Sequence, residues 1–142
     1  METVYLAGPI GDVSIEEANK WREIITLILK YLGFECLNPL RGITEENRTT
    51  LSDYDIVERR NKTDISQSDI MLVYWPERKV SNGTAMEILE AFYEGIPVLF
   101  VGEWAENDIW IRYHVTDIFK STWDALVYIS RLKETLHLRK EN

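Results

Sequence analysis

Residues 70–102 of this 142-residue chain read IMLVYWPERKVSNGTAMEILEAFYEGIPVLFVG. The segment begins with a continuous apolar run, residues 70–75, which is typical of a strand that is buried on both faces. Pro76 ends that run, and a helix is predicted over residues 83–94. A second apolar run, residues 97–102, predicts another strand. Strand, helix and strand at this spacing form a right-handed βαβ unit, so the two strands are predicted to be parallel.

The same alternation extends towards both ends of the chain. Short apolar runs predict further strands over residues 4–7, 34–37 and 116–119, and a polar loop is predicted over residues 40–51. The second helix is predicted to end near Gln67. Three helices are predicted to begin at a serine that an acidic residue follows three positions later: Ser14 with Glu17, Ser52 with Asp55, and Ser121 with Asp124.

Strands that alternate with helices of this length predict an α/β fold, a doubly wound parallel sheet with helices on both faces. The length fits a single domain over residues 1–142, and the chain contains no internal repeat or low-complexity segment. Ligands of such folds bind beyond the carboxyl ends of the strands. Functional residues are therefore expected just after positions 7, 37, 75 and 101.

The composition is acidic and poor in metal-binding side chains. Lys and Arg number 16 against 24 Asp and Glu, which gives a formal net charge of −8. Such a chain is poorly suited to binding a nucleic acid polymer or an anionic membrane, but it can bind a single nucleoside or nucleotide. Cys36 is the single cysteine and there are two histidines, so we expect no disulfide and no metal site. We also expect no cofactor.

The hydropathy pattern predicts a cytoplasmic protein. No apolar run approaches the ~18 residues that a membrane span requires. The first ten residues, METVYLAGPI, lack the basic region and the long apolar region of a signal peptide. We therefore expect neither secretion nor membrane insertion.

Residues 81–87, SNGTAME, lie between a predicted buried strand and the helix that follows it. Ser81 and Gly83 stand at the helix N-terminus, where backbone N–H groups are available to a ligand. Glu87 lies about one turn further, near the carboxyl ends of the strands. A glutamate near a helix start also complements the helix dipole without any catalytic role, so the spacing alone leaves both interpretations open.

Two other segments carry side chains that fit a ligand site. The first strand contains Tyr5 and ends at the turn of Gly8 and Pro9, where glycine allows a ligand to approach the backbone closely. A plain turn is an equally good interpretation. Asn61 and Asp64 lie three residues apart, near one face of the second predicted helix. The alternative interpretation is that this helix face is exposed to solvent and binds no ligand.

Several common site patterns are absent from the sequence. The turn at Gly8 is not a GxGxxG fingerprint and no Walker lysine follows it, which argues against a dinucleotide or triphosphate site. His114 has aromatic neighbours and is expected to be a packed or capping residue rather than a general base. No Ser–His–Asp set is legible, and Cys36 lies within a predicted strand, where it is expected to be inert.

Four blocks of the chain together resemble the nucleoside 2-deoxyribosyltransferase family, including the related nucleoside monophosphate N-glycosidases. They are VYLAGPI at 4–10, DISQSDIMLVYW at 64–75, SNGTAMEILEAFYEGIPVLFVG at 81–102 and WIRYHVTDIF at 110–119. The resemblance implies a flavodoxin-like, five-stranded parallel sheet. It also implies an enzyme that breaks the bond between a deoxyribose and a nucleobase through a glycosyl-enzyme.

The resemblance implies that Glu87 is the nucleophile and that Tyr5 holds its carboxylate. A negative oxygen beneath the anomeric carbon stabilises the oxocarbenium-like sugar that forms as the base departs. Tryptophan and tyrosine side chains near the strand ends are suited to stacking on a base. The residues assigned to substrate binding around the sugar are Gly8, Pro9, Ser81 and Gly83.

The chain departs from the family pattern at three positions. Asn61 stands where the family usually has an aspartate near the base, so either Asp64 takes over proton transfer or the base is protonated in another way. Ser81 matches the hydrolases of nucleoside monophosphates, in which it contacts phosphate. Asp108 corresponds to a residue that a neighbouring subunit contributes at the 5′ end of the sugar, and a carboxylate there favours a free 5′-hydroxyl over a phosphate.

We therefore predict a nucleoside deoxyribosyltransferase of nucleotide salvage, with Glu87, Tyr5 and Asp64 as catalytic residues. The alternative enzyme is a nucleoside 5′-monophosphate N-glycosidase, a hydrolase. The alternative from another class is a nucleoside- or nucleotide-binding module without chemistry, which Asn61 favours. The predicted partners are a small nucleoside or nucleotide and a free nucleobase, within a homo-oligomer whose neighbouring subunits complete each site.

Overall fold

The computed structural model describes the backbone of residues 2–141 and the side chains of residues 2–134. Five strands form one parallel sheet. They are β1 (Glu2–Ala7), β2 (Phe34–Leu37), β3 (Ile70–Tyr74), β4 (Val98–Val101) and β5 (Asp117–Phe119), in the spatial order β2-β1-β3-β4-β5. This is the strand order of the flavodoxin-like doubly wound fold, and it confirms the predicted α/β architecture.

Helices cover both faces of the sheet. They are α1 (Ile15–Tyr31), a π-helical segment (Asp55–Lys62), α2 (Thr63–Gln67), α3 (Asn82–Tyr93), a 3-10 helix (Glu103–Asn107), α4 (Ile109–His114) and α5 (Thr122–Glu141). Buried side chains of α1 and α5 pack on one face, and those of α2, α3 and α4 pack on the other. None of the described helices is long and apolar enough to cross a membrane.

Alternation along β1 divides its side chains between two apolar cores. Val4 and Leu6 pack towards α1 and α5, whereas Tyr5 and Ala7 pack towards α3, because successive side chains of a strand point to opposite faces. All four are fully buried. Tyr5 therefore faces the helix that carries Glu87.

Hydrogen bonds at the helix ends confirm the predicted serine caps. At the end of α1, Gly33 has a φ of 88°, a conformation in which glycine allows the chain to turn into β2. At each helix start, the serine hydroxyl accepts a hydrogen bond from the backbone N–H three residues on: Ser14 from Glu17 at 3.1 Å, Ser52 from Asp55 at 3.4 Å, and Ser121 from Asp124 at 3.2 Å.

The second helix differs from its prediction. The sequence predicts one helix as far as Gln67, but Asp55–Lys62 form π-helical turns and only Thr63–Gln67 are α-helical. The Arg60 side chain donates to backbone carbonyls in the loop after β2, at positions 38, 39 and 41. These contacts join segments about 20 residues apart and leave no local signal in the sequence. π-helical turns often occur at functional sites.

Substitution of buried and exposed leucines on α1 tests this packing. Leu29 is fully buried in the core, so Leu29→Ala should lower the free energy of unfolding by about 2–5 kcal/mol through the cavity it leaves. Leu27 is 71% exposed, so Leu27→Ala should change that energy by less than about 0.5 kcal/mol. Urea denaturation followed by circular dichroism measures both. Equal losses would contradict this orientation of α1.

Candidate active site

A cavity of about 640 Å³ opens beyond the carboxyl ends of β1 and β3. Its walls come from the β1–α1 turn, the π-helical segment and the first turns of α3. The volume is typical of small-molecule sites in proteins. Of the nine site residues predicted from the sequence, six line this cavity: Gly8, Pro9, Asn61, Ser81, Gly83 and Glu87.

Tyr5 and Glu87 form a hydrogen-bonded pair at the cavity wall. The Tyr5 hydroxyl donates to Oε2 of Glu87. Glu87 is partly exposed and lines the cavity, whereas Tyr5 is fully buried behind it. The structure thus brings together the two residues that the sequence analysis assigned as nucleophile and partner, although 82 positions separate them along the chain.

The protein environment changes the protonation behaviour of both members of the pair. Burial raises the pKa of Glu87 to about 7, and the hydrogen bond from Tyr5 and the charge of Arg22 oppose this rise. Burial and the neighbouring Glu87 carboxylate raise the pKa of Tyr5 far above its ordinary value, so Tyr5 stays protonated and donates. Glu87 therefore titrates near neutral pH, as groups in active sites often do.

Arg22 is a residue near the site that the sequence analysis missed. It is fully buried on α1, on the helix face that also carries Ala18, Ile25 and Leu29. Its guanidinium donates to the carbonyl oxygen of Gly8, in the turn that lines the cavity. The sequence did contain a signal for its burial, because position 22 has the helical spacing of the buried positions 18, 25 and 29.

The first turn of α3 is accessible to a ligand. The hydroxyl groups of Ser81 and Thr84 share a hydrogen bond of 2.6 Å, and the Ser81 side chain does not cap a backbone N–H of the helix. Apart from its chain neighbours and the backbone of its own helix, no described atom lies within 4 Å of the place where a side chain on Gly83 would begin. A ligand in the cavity can therefore approach this helix N-terminus, which favours groups that accept hydrogen bonds.

The structure separates Asn61 from Asp64. Asn61 lines the cavity, and its Oδ1 atom is buried without a hydrogen-bond partner in the described part of the chain. Unpartnered buried acceptors are rare, so a donor on a ligand fits this position. Asp64 is buried but does not line the cavity, and its carboxylate forms an ion pair of 2.7 Å with Arg41. Its role in proton transfer stays a prediction.

Asp108 lies outside the cavity. Its Oδ1 accepts from the backbone N–H groups of Trp110 and Ile111, at 3.1 and 3.0 Å, and so caps α4. It borders a separate depression beside the start of α3. A contribution of Asp108 to the site of a neighbouring subunit stays a prediction.

His114 packs against Phe92, with ring centroids 4.7 Å apart, as expected for a packed histidine.

Metal and thiol chemistry have little support within the described residues. Among them, no group of three or more His, Cys, Asp or Glu side chains is placed to bind a metal ion. Burial raises the pKa of the Cys36 thiol to about 11. The reactive thiolate of Cys36 is therefore scarce at neutral pH.

The raised pKa of Glu87 predicts that stability depends on pH. The pKa is about 7 in the folded protein against an ordinary value of 4.5. The group therefore stabilises the fold most below its ordinary pKa, and this contribution is lost as the pH rises through about 7. Glu87→Gln removes the titration and keeps the side-chain shape. We expect this variant to be more stable than wild type at about pH 8, by on the order of 3 kcal/mol.

Urea denaturation at about pH 5 and pH 8 measures the difference, which should shrink at the lower pH. The matched control is Glu94→Gln, at the exposed end of the same helix, which should behave like wild type at both pH values. A difference between Glu87→Gln and wild type that is the same at both pH values would contradict the raised pKa.

Comparison with known proteins places the chain in a family. The family model described as nucleoside 2-deoxyribosyltransferase matches residues 4–113. A protein of Enterococcus faecalis V583 has a similar structure, with a TM-score of 0.73 and 16% identity over 92% of this chain and 98% of that one. A comparison with curated protein sequences gives no significant match.

Two further solved structures share the fold. The 2-deoxyribosyltransferase of Bacillus psychrosaccharolyticus has a TM-score of 0.62 and 22% identity, over 87% of this chain and 89% of that one. The CMP N-glycosidase of Clostridium botulinum has a TM-score of 0.58 and 20% identity, over 90% and 98%. Because the family model covers most of the chain, including Tyr5 and Glu87, this protein belongs to the nucleoside 2-deoxyribosyltransferase family.

Proposed function

We propose that this protein is a nucleoside deoxyribosyltransferase, which moves the 2′-deoxyribose of a nucleoside from one nucleobase to another. The observation that carries the proposal is the Tyr5–Glu87 pair at the wall of a cavity of small-molecule size. Membership of the family supports an enzyme of this chemistry. The proposal includes a cytoplasmic protein that acts in nucleoside salvage.

Glu87 attacks the anomeric carbon of the sugar with a carboxylate oxygen. The C1′–N bond breaks, its electron pair leaves with the base nitrogen, and a C1′–O bond joins the sugar to Glu87. In the second step a nitrogen of the incoming base attacks C1′, its proton passes to water, and the C1′–O electron pair returns to the carboxylate. Tyr5 orients Glu87 throughout and stabilises the carboxylate that is regenerated.

In this proposal the base lies against Asn61, which lines the cavity. We assign Asn61 to base recognition, with its buried Oδ1 accepting a hydrogen bond from an N–H group of the base. The leaving base also needs a proton, which an amide cannot supply. We assign to Asp64 the relay of that proton from solvent through a water molecule, because the Asp64 side chain is ion-paired with Arg41 and does not line the cavity.

Charges around the cavity favour an uncharged nucleoside over a nucleotide. Asp12, Glu87 and Glu90 contribute three carboxyl groups to the lining, against one cation, Lys62. Lys62 is itself paired with Glu58 at 2.6 Å. A phosphate dianion would meet net repulsion in such a site, whereas a 5′-hydroxyl can donate hydrogen bonds to carboxylates.

A nucleoside 5′-monophosphate N-glycosidase is the second candidate. Ser81 and the uncapped first turn of α3 favour it, because both can donate hydrogen bonds to a phosphate. In that enzyme water replaces the second base and the 5′-phosphate is required for turnover. A binding module without chemistry is the third candidate, and Asn61 is its support.

A transfer assay separates these candidates. The purified protein is mixed with a 2′-deoxynucleoside and a different free base, and the products are separated by chromatography. We expect a swapped nucleoside from wild type and from Glu94→Ala, an exposed glutamate on the same helix, and at least about a thousandfold loss in Glu87→Ala. Free base and sugar would indicate a hydrolase instead, and activity only on 5′-monophosphates would indicate the second candidate. Ligand-induced stabilisation without turnover would indicate the binding module.

Apolar side chains beside the cavity support assembly with a second copy of the chain. Met86 and Tyr93 on α3 are 69% and 78% exposed, and Trp110 and Tyr113 on α4 are 75% and 72% exposed. A cluster of large exposed apolar side chains on one face is typical of an interaction surface. We propose that this face forms the contact of a homo-oligomer whose subunits complete one another's sites.

Light scattering tests the oligomer. Wild type should have a mass above that of one chain, and Trp110→Glu should shift it towards the monomer by placing a charge in the contact. Trp123→Glu is the control, because Trp123 is 70% exposed but lies on α5, on the opposite face of the sheet. A monomeric wild type would contradict the assembly, and so would equal effects of the two variants.

A further inference from the structure

Arg22 joins α1 to the end of β1. Its Nε donates to the carbonyl oxygen of Leu6 at 3.3 Å, its Nη2 to that of Gly8 at 3.0 Å, and its Nη1 to that of Ala18 at 2.5 Å. The guanidinium carbon also lies 4.6 Å from the centre of the Trp21 ring. These contacts hold the turn that forms one wall of the cavity from the side opposite the ligand.

The turn is confined from a second direction as well. A Cβ atom on Gly8 would lie 2.6 Å from the carbonyl oxygen of Tyr74 at the end of β3, so no larger residue fits there. Gly8 is therefore held between β3 and the guanidinium of Arg22. The wall next to the proposed sugar position is rigid because these two elements fix its backbone.

Packing does not explain why the residue is a cation. Arg22 is fully buried, and within the described residues no carboxylate lies at ion-pair distance from it. Burial of a charge in that situation is unfavourable. An apolar side chain of similar length would avoid this penalty, but it would leave the three carbonyl oxygens without the guanidinium donor. Burial lowers the pKa of Arg22 to about 10 and Glu87 opposes that change, so Arg22 stays charged at neutral pH.

Glu87 is the carboxylate whose charge acts on Arg22, and Arg22 is the cation whose charge acts on Glu87. Arg22 on α1 donates to the carbonyl oxygen of Leu6, and Glu87 on α3 accepts from the hydroxyl of the adjacent Tyr5, so the end of β1 lies between them. The other titratable or charged groups around the pair are Tyr5 on β1, Arg60 and Asp64 on the second helix, and Asp12, Lys62 and Glu90 in the cavity lining.

We propose that Arg22 is a positioning residue that fixes the Gly8 wall of the cavity and favours the anionic form of Glu87 across β1. The inference rests on the proposed role of Glu87 as nucleophile. Hydrogen bonds of the guanidinium set the backbone of the turn, and its charge raises the fraction of Glu87 that is ionised at neutral pH. One side chain thus controls both the shape of the sugar site and the fraction of Glu87 that is ionised and able to act as the nucleophile.

Coupling of the two charges is measurable without an enzymatic assay. The ¹H and ¹⁵N resonances of the Arg22 Nε–H group are followed by NMR from about pH 5.5 to pH 8.5 in wild type and in Glu87→Gln. We expect the wild-type resonance to shift with the midpoint of the Glu87 titration, and we expect no such shift in Glu87→Gln. A wild-type resonance that does not follow that titration overturns the inference, whether or not the protein has activity.

Kinetics of two Arg22 variants test the positioning role. Arg22→Met removes the charge at similar length, and Arg22→Lys keeps the charge with fewer hydrogen bonds. In the transfer reaction, the acid limb of kcat/KM should move upward by about one pH unit in Arg22→Met and stay near its wild-type position in Arg22→Lys.

A purely structural role would lower kcat/KM at every pH without moving that limb, and this result would overturn the electrostatic half of the inference. The NMR measurement uses no Arg22 variant, so it decides the question even if Arg22→Met does not fold. An inactive wild type would contradict the proposed function and leave the NMR test valid.

Discussion

The hydrogen bond from Tyr5 to Glu87 joins the first strand of the sheet to α3, and the cavity is built around it. A tyrosine hydroxyl inside an apolar core is unfavourable without a partner, and so is a carboxyl group at the edge of that core. The hydrogen bond between them gives the hydroxyl an acceptor and the carboxyl group a donor. The parallel register that places Tyr5 beside Met71 of β3 brings the start of α3 above the end of β1. The pairing of β1 with β3 therefore helps to set the geometry of the site.

The surroundings of Glu87 act on its pKa in opposite directions. Burial favours the protonated form of Glu87, whereas Tyr5 and Arg22 favour the anion, and the balance leaves its pKa near neutrality. A carboxyl group held in this state reduces the stability of the folded chain above neutral pH. The cavity lining is acidic, and so is the whole chain, with a net charge of −8. Neither feature favours a phosphate-bearing ligand.

Local sequence patterns predicted most of the elements but not the course of the second helix. Ser14 and its acidic neighbour predicted the start of α1 because capping needs only residues within one turn. Within the π-helical segment Asp55–Lys62, Arg60 donates to carbonyl groups in a loop about 20 residues earlier. Contacts between distant segments decide such details, and a local pattern cannot contain them.

The sequence by itself determined the order of strands and helices, the helix caps, and the set of residues that follow each strand, because periodicity and capping are local properties. It therefore indicated Glu87 and the Gly8 turn before any coordinates were known. Only the tertiary structure decided that Asp64 pairs with Arg41 away from the cavity lining, and that Arg22 lies buried behind Gly8. It also decided that Glu87 titrates near pH 7. Burial and the field of a charge depend on distances between residues that are far apart in the chain, and those distances exist only in the folded protein.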